Sequence, residues 1–241
     1  MATPLERAGG VLFRWRSFTP VPLLIAAVPL AWSARGSASP LWLASGLLFC
    51  ALGQLLRAWV LGQVPDGTSG QNEKLIATQL NTSGPYAHTR NPLYLGNLGI
   101  TLGLCLVAQS AVLLVVVGLL FGLQYRAIIA AEEQFLRGQF GPAFDAFCAR
   151  VPRFWPQRAA APSPAPRAWD WRRALRKEHN PLAAWAAIAI VLRALSRPDR
   201  AHAAALAVVL VLWLCVKGWK HRWLSGNFVS DLRRRLRETA R

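Results

Sequence analysis

Apolar residues along this chain fall in long blocks separated by short basic or turn-forming stretches, a pattern that predicts membrane-crossing helices. Residues 18–34 form a first block and 41–61 a second, joined by a short connection at 35–40. Each is long enough to cross a bilayer core. Arg57, near the end of the second block, is expected to extend its charged head toward the interface. Residues 62–83 then turn polar, with Pro65-Asp66-Gly67 as a turn signal and a short helix expected around 73–80.

A run of turn-forming and hydrogen-bonding residues, Gly84-Pro85-Tyr86-Ala87-His88-Thr89-Arg90-Asn91-Pro92-Leu93-Tyr94-Leu95-Gly96, leads straight into the next apolar block at 93–108. After a brief polar break at Gln109-Ser110, residues 111–131 are apolar again apart from Gln124, Tyr125 and Arg126. This is a helical hairpin with almost no loop. Each arm is about 20 residues or roughly 30 Å long, so the chain returns to the face it left. Arg90 and Glu132 lie nearly equidistant from the turn and are expected to be neighbours in space.

The return arm ends in Glu132-Glu133, followed by Phe135, Phe140, Phe144 and Phe147, with Gly141-Pro142 interrupting the series. That aromatic spacing predicts an amphipathic helix, broken at Gly141-Pro142, lying against the membrane or the hairpin. Residues 157–168, rich in alanine and proline, read as a linker without fixed structure between a membrane core at 1–156 and a C-terminal region at 169–241. Trp169-Asp170-Trp171-Arg172-Arg173 suits the headgroup layer. The apolar block 182–195 is short for a span, and Arg193, Arg197 and Arg200 argue against a fully crossed hairpin with 201–219, so a shallow or re-entrant arm is one reading. The tail, with Arg233-Arg234-Arg235, is expected on the cytosolic side. The fold expected is all-α: a polytopic membrane bundle of four to six spans with cytosolic amphipathic helices.

Composition agrees, since 54% of residues are hydrophobic and tryptophan occurs eleven times, far from the usage of an ordinary soluble domain. The net charge of +17 would suit nucleic acid, but the basic residues sit between and beside apolar blocks, where they suit cytosol-facing loops near anionic lipid. No nucleic-acid partner is expected. Arg7, Arg14 and Arg16 precede the first block as in a secretory signal, yet its prolines and the later blocks favour a retained helix with a cytosolic N-terminus. The four cysteines lack paired spacing for zinc or a disulfide framework, and no glycine-rich phosphate or dinucleotide loop is present. A soluble Rossmann-type enzyme is therefore disfavoured, and a small-molecule site has to be built from membrane helices and their cytosolic ends.

Arg90 offers a fork of donors for a carboxylate or phosphate, Tyr86 and Tyr94 offer aromatic faces and hydroxyls, and Glu132 and Glu133 accept from an ammonium or stabilise a cation. Together they suit a zwitterionic ligand with a positive centre. The plainer reading is a structural Arg90–Glu132 pair closing the hairpin. His88 and His179 are acid–base candidates or simply interfacial histidines.

The run GPYAHTRNPLYLG, the apolar hairpin and then EEQFLRGQFGPAFDAFCARVPRFWP resemble the isoprenylcysteine carboxyl methyltransferase and phospholipid methyltransferase family of integral membrane enzymes, over residues 84–156. The resemblance implies S-adenosylmethionine as methyl donor at the cytosolic ends of the hairpin, and a lipid-like acceptor arriving from the bilayer. The motif positions implied are Tyr86, Arg90, Asn91, Pro92, Tyr94 and Gly96, then Glu132 and Glu133, with His88 beside them in the donor-binding run. Arg90 is the expected group for orienting an anionic part of donor or substrate, and Glu132, with Glu133 second, for the donor amine. Many family members carry histidine where this chain has Asn91, which cannot titrate. The acceptor stays open among a prenylated cysteine carboxylate, a phospholipid amine and another lipid-soluble molecule. Two other classes compete: a membrane sterol or isoprenoid reductase using NADPH, and a non-enzymatic membrane scaffold or transporter subunit.

Overall fold

The first helix, α1 (Pro4–Trp15), starts where its sequence says a helix should. Glu6 N–H donates to Thr3 Oγ1 at 3.3 Å, Thr3 N–H donates to Glu6 Oε2 at 2.6 Å, and Pro4 takes the first helical position. The computed structural model describes residues 3–16, 25, 28–30, 32, 39–64 and 77–239, with side chains through Lys220. The first apolar block, 18–34, lies largely outside the described residues, as do residues 73–76 and the side chains of Arg233, Arg234 and Arg235; residues 77–80 form bends and no helix.

Among the described residues the longer helices that follow are α2 (Pro40–Gln63), α3 (Pro92–Val107), α4 (Ala111–Phe140), α5 (Pro142–Arg150), α6 (Trp171–Ser196) and α7 (Arg200–Thr239). No strand occurs among the described residues. Among the described residues three segments are long and apolar enough to cross a membrane, Pro40–Gln63, Ala111–Phe140 and Arg200–Lys220, and Pro92–Val107 is a shorter apolar helix. Their outward faces bear large apolar side chains, including Leu48, Leu52 and Leu55 on α2, Val115, Leu119 and Leu123 on α4, and Val208, Val211 and Leu212 on α7. A surface of that kind belongs in lipid. The chain is an integral membrane protein built as a helical bundle.

The hairpin expected around Gln109-Ser110 is present. Gln109 takes a left-handed φ of 60°, and Ser110 caps α4 by accepting from Leu113 N–H at 3.2 Å. The Gln109 carboxamide also pairs with both backbone groups of Ser39, at 2.9 and 3.3 Å, which ties the turn to the start of α2.

Helices α2 and α3 meet along a seam of small residues. A methyl at Gly53 would stand 2.5 Å from Gly96 O, and one at Gly103 would stand 2.5 Å from Cys50 Sγ and 2.6 Å from Gly46 O. Only glycine lets the two backbones come this close, the usual means of packing helices in a membrane.

The aromatic segment after Glu133 divides as expected at Gly141, but its first half is the continuation of α4, which runs 30 residues to Phe140. Phe144 and Phe147 of α5 are buried with Val151 and Ala161, with Tyr86, Leu136 and Phe140 packed around them.

Helix α6 is one continuous helix of 26 residues. Asp170 N–H donates to Gly62 O at 3.0 Å near its start, and Ala189 and Leu192 near its end join Val107, Ala108 and Leu113 at the hairpin turn. The block at 182–195 is thus the distal half of a helix that runs the length of the bundle. Residues 157–168, expected to lack fixed structure, hold no helix but are anchored. Gln157 and Ala161 donate backbone N–H to His88 O and Ala87 O at 3.0 and 2.9 Å, and Ala161 is buried. Composition argued for a loose linker, whereas pairing to the carbonyls of residues 87 and 88 fixes the path of its first residues.

Candidate active site

The polar run before α3 folds as a 3₁₀ turn, Gly84–Ala87, entered through Gly84 at φ 59°, where glycine is favoured. The segment after α5 lies alongside it. Arg90 N–H donates to Pro152 O at 2.9 Å, Thr89 Oγ1 to Phe154 O at 2.8 Å, and Asn91 Nδ2 to Arg153 O at 2.7 Å. The two separated sequence motifs are therefore one strapped unit. His88 belongs to the strap: its Nδ1 lies 2.9 Å from Gln157 O, and because a carbonyl only accepts, Nδ1 carries the proton. Asn91 precedes α3, and its carboxamide holds the strap; Pro92 is fully buried at the first position of α3.

Within this unit the expected Arg90–Glu132 pair is replaced by another. Arg90 Nη2 lies 3.3 Å from Glu133 Oε1, and Arg153 grips the same carboxylate from Nη2 at 2.5 Å and Nε at 3.1 Å. Arg90 Nη1 donates to Cys148 Sγ, while Arg90 Nε is buried without a hydrogen-bond partner. Glu133 is thus committed to two arginines, and successive residues about 100° apart on a helix turn Glu132 to a different side.

There Glu132 accepts a 2.6 Å hydrogen bond from Tyr94 Oη through Oε1, and its other oxygen has no hydrogen-bond partner among the described residues. Tyr94 meets Tyr125 edge-on at 4.6 Å, and Tyr125 stacks on Phe121 at 4.0 Å. Arg16, at the end of α1, is a charge neighbour of Tyr94 and Glu132. Tyr86, packed against the Phe144–Phe147 cluster, has its phenol pushed above the ordinary value by burial and then by the charge of Glu132. The result is a carboxylate with an open acceptor site and aromatic neighbours, which suits an organic cation. Glu132 lies about 32 Å along α4 from Ala111, one hydrocarbon thickness from the turn.

Gly96 sits elsewhere in the arrangement. It faces α2, where a methyl would meet Arg57 Cγ at 2.6 Å. Its place in the motif is that of a packing residue that makes room for the arginine stem.

Arg57 itself corrects the sequence reading. Its head turns inward, not to the interface, donating to Glu178 from Nε at 2.8 Å and Nη2 at 2.6 Å, and from Nη1 to Asn97 Oδ1. Gln54 Nε2 donates to Glu178 at 2.6 Å and Trp185 Nε1 to Gln54 Oε1 at 2.9 Å, so the buried carboxylate is well satisfied. Snorkelling loses here because a partner of opposite charge stands at the same depth. Gln54 and Arg57, one helical turn apart inside an apolar block, were the available signal. His179, the other acid–base candidate, is buried on α6, and burial holds its imidazole below the ordinary value. Among the described residues no three His, Cys, Asp or Glu side chains converge as metal ligands.

Residues 41–143 match the family model described as phospholipid methyltransferase. The chain is 36% identical over 119 residues to the cobalt-zinc-cadmium resistance protein CzcN of Cupriavidus metallidurans, covering 49% of this chain and 51% of the relative. It is 38% identical over 81 residues to the nickel-cobalt-cadmium resistance protein NccN of Alcaligenes xylosoxydans xylosoxydans, covering 34% of this chain and 38% of the relative. The chain thus spans about half the length, or less, of these curated relatives. No solved structure matches. Tyr86, Arg90, Tyr94, Glu132 and Glu133 all fall inside the matched segment, whereas Arg153 and Glu178 fall outside it.

Proposed function

From the match of residues 41–143 to the phospholipid methyltransferase family model, we propose that this chain is a membrane methyltransferase that uses S-adenosylmethionine and acts on a lipid-like acceptor. The observation that carries the reading is Glu132, hydrogen-bonded to Tyr94 through one oxygen and, among the described residues, without a hydrogen-bond partner at the other. When bound, the donor supplies an electrophilic methyl group on a sulfonium. The residues present fit such a group. Glu132 would hold the donor's ammonium, the rings of Tyr86 and Tyr94 would serve its cationic centre, and Arg90, whose Nε is buried without a hydrogen-bond partner, would serve an anionic group.

Glu133 has a supporting part in this reading. Held by Arg90 and Arg153, it fixes the arginine rather than a ligand. His88, Asn91 and Pro92 act on the donor region through the strap and the start of α3, and the site lies at the cytosolic end of the hairpin. An acceptor carboxylate needs no deprotonation, whereas an acceptor amine must lose a proton first. Holding the acceptor in line in a dry site supplies much of the rate. The resistance named for the relatives would then draw on methylation of a membrane component.

Thermal unfolding of the detergent-solubilised chain tests the reading. S-adenosylmethionine or its demethylated product should raise Tm in proportion to the logarithm of concentration, and Glu132→Gln should abolish the rise. Stabilisation by NADPH alone would replace the methyltransferase with the reductase, and no stabilisation by either would favour a non-enzymatic role.

A further inference from the structure

Beyond the family segment, α6 carries one carboxylate that the proposed chemistry does not use, Glu178. It is 3% exposed and accepts from Gln54 Nε2 and from two nitrogens of Arg57. A buried ion pair of this kind adds little net stability, since desolvation offsets the attraction, so its presence calls for another explanation.

The contacts continue toward the site. The third nitrogen of Arg57 donates to Asn97 Oδ1, which settles the orientation of that carboxamide and turns its Nδ2 to donate to Tyr125 Oη at 3.1 Å. Tyr125 is wedged between the face of Phe121 and the edge of Tyr94, and Tyr94 donates to Glu132. Each link is directional. The carboxylate on α6 sets the guanidinium, the guanidinium sets the amide, the amide sets the phenol, and the phenol sets the ring that holds Glu132. Gly96 belongs to the same device, because only a residue without Cβ leaves space for the Arg57 stem.

We infer that Glu178 is a positioning residue for the Tyr94–Glu132 cation site, acting through Arg57, Asn97 and Tyr125, so that α6 is a working part of the site. This rests on the methyl-donor reading above. The consequence is selective: the network ends on the ring of Tyr94, the group offered to the sulfonium, so it tunes recognition of that centre more than the ammonium contact of Glu132, which both forms of the donor share.

The test compares affinities for S-adenosylmethionine and S-adenosylhomocysteine, which lacks the sulfonium charge, by calorimetry on the full chain in detergent. Glu178→Gln and Tyr125→Phe should each lower the ratio of the two affinities about threefold or more, the scale of coupling across a short contact network. Tyr125→Phe leaves the ion pair intact and guards against a folding defect in the first variant. The double variant Arg57→Leu/Glu178→Leu should recover Tm without recovering the ratio. A folded Tyr125→Phe with an unchanged ratio, or a double variant that restores both, overturns the inference while leaving the methyltransferase reading in place. A wild-type chain that binds neither ligand overturns both.

Discussion

Arg90 pairs with Glu133 and not with Glu132, although the two carboxylates are on adjacent residues and nearly equally spaced from the hairpin turn. One acid is consumed by Arg90 and Arg153, and the other is left with a tyrosine and an open oxygen. Opposite outcomes follow for similar substitutions. Glu133→Gln strands two guanidinium groups and is expected to cost about 3 kcal/mol, the scale for breaking a buried pair. Glu132→Gln should leave Tm nearly unchanged and remove donor binding. Thermal unfolding with and without S-adenosylmethionine separates the two, and an equal loss of Tm in both variants would overturn the division of labour.

The hairpin was legible because apolar length, the Gln109-Ser110 break and the two charged ends all constrain one geometry. Which glutamate Arg90 would choose was not, because distance from the turn sets height along the helices but not the direction each side chain faces. The Arg57–Glu178 pair joins residues 121 apart; Gln54 and Arg57 inside an apolar block marked one end of it, but nothing local named Glu178, beyond the family match, as the partner. By contrast, α1 carried a readable signal, the Thr3-x-x-Glu6 capping box, which the approach of an apolar block concealed.

The strap between residues 87–91 and 152–161 gives residues 157–168 two distinct behaviours. The backbone N–H groups of Gln157 and Ala161 donate to carbonyls, so their exchange with solvent deuterium should be slow beside that of the surrounding exposed positions. Thr89→Val removes the hydroxyl donor to Phe154 O from a buried position and is expected to cost about 1–2 kcal/mol. It should raise exchange at both amides together. Uniformly fast exchange in the wild type would return this segment to the loose linker its composition suggests.

The α2–α3 seam predicts strong intolerance at small positions. Gly53→Ala places a methyl 2.5 Å from Gly96 O, a contact that only separation of the helices relieves. A cost of about 1–3 kcal/mol is expected for such overpacking. Gly218→Ala on α7, where an added methyl meets nothing within 4 Å, is the control and should leave Tm in place. Equal tolerance at the two positions would argue against close approach of α2 and α3.

Asp170 provides the pH-dependent case. Its carboxylate caps α6, accepting from Arg172 N–H at 2.9 Å and Arg173 N–H at 3.1 Å. Those hydrogen bonds, the one from Arg173 first, hold its carboxyl below the ordinary value. A group depressed on folding stabilises the protein fully above its unfolded value, about 3.9, and the contribution disappears as pH falls through the lower folded value. Its exposure keeps the effect small. Asp170→Ala should cost about 1 kcal/mol at neutral pH, as for other lost caps. Asp170→Asn keeps an uncharged cap, so wild type and Asn variant should converge in Tm as the solution is taken from pH 6 to below pH 3, on the scale of about 1 kcal/mol or less set by a charge at a helix N-terminus. Parallel Tm curves for the two over that range would show that the charge of Asp170 adds nothing to the cap.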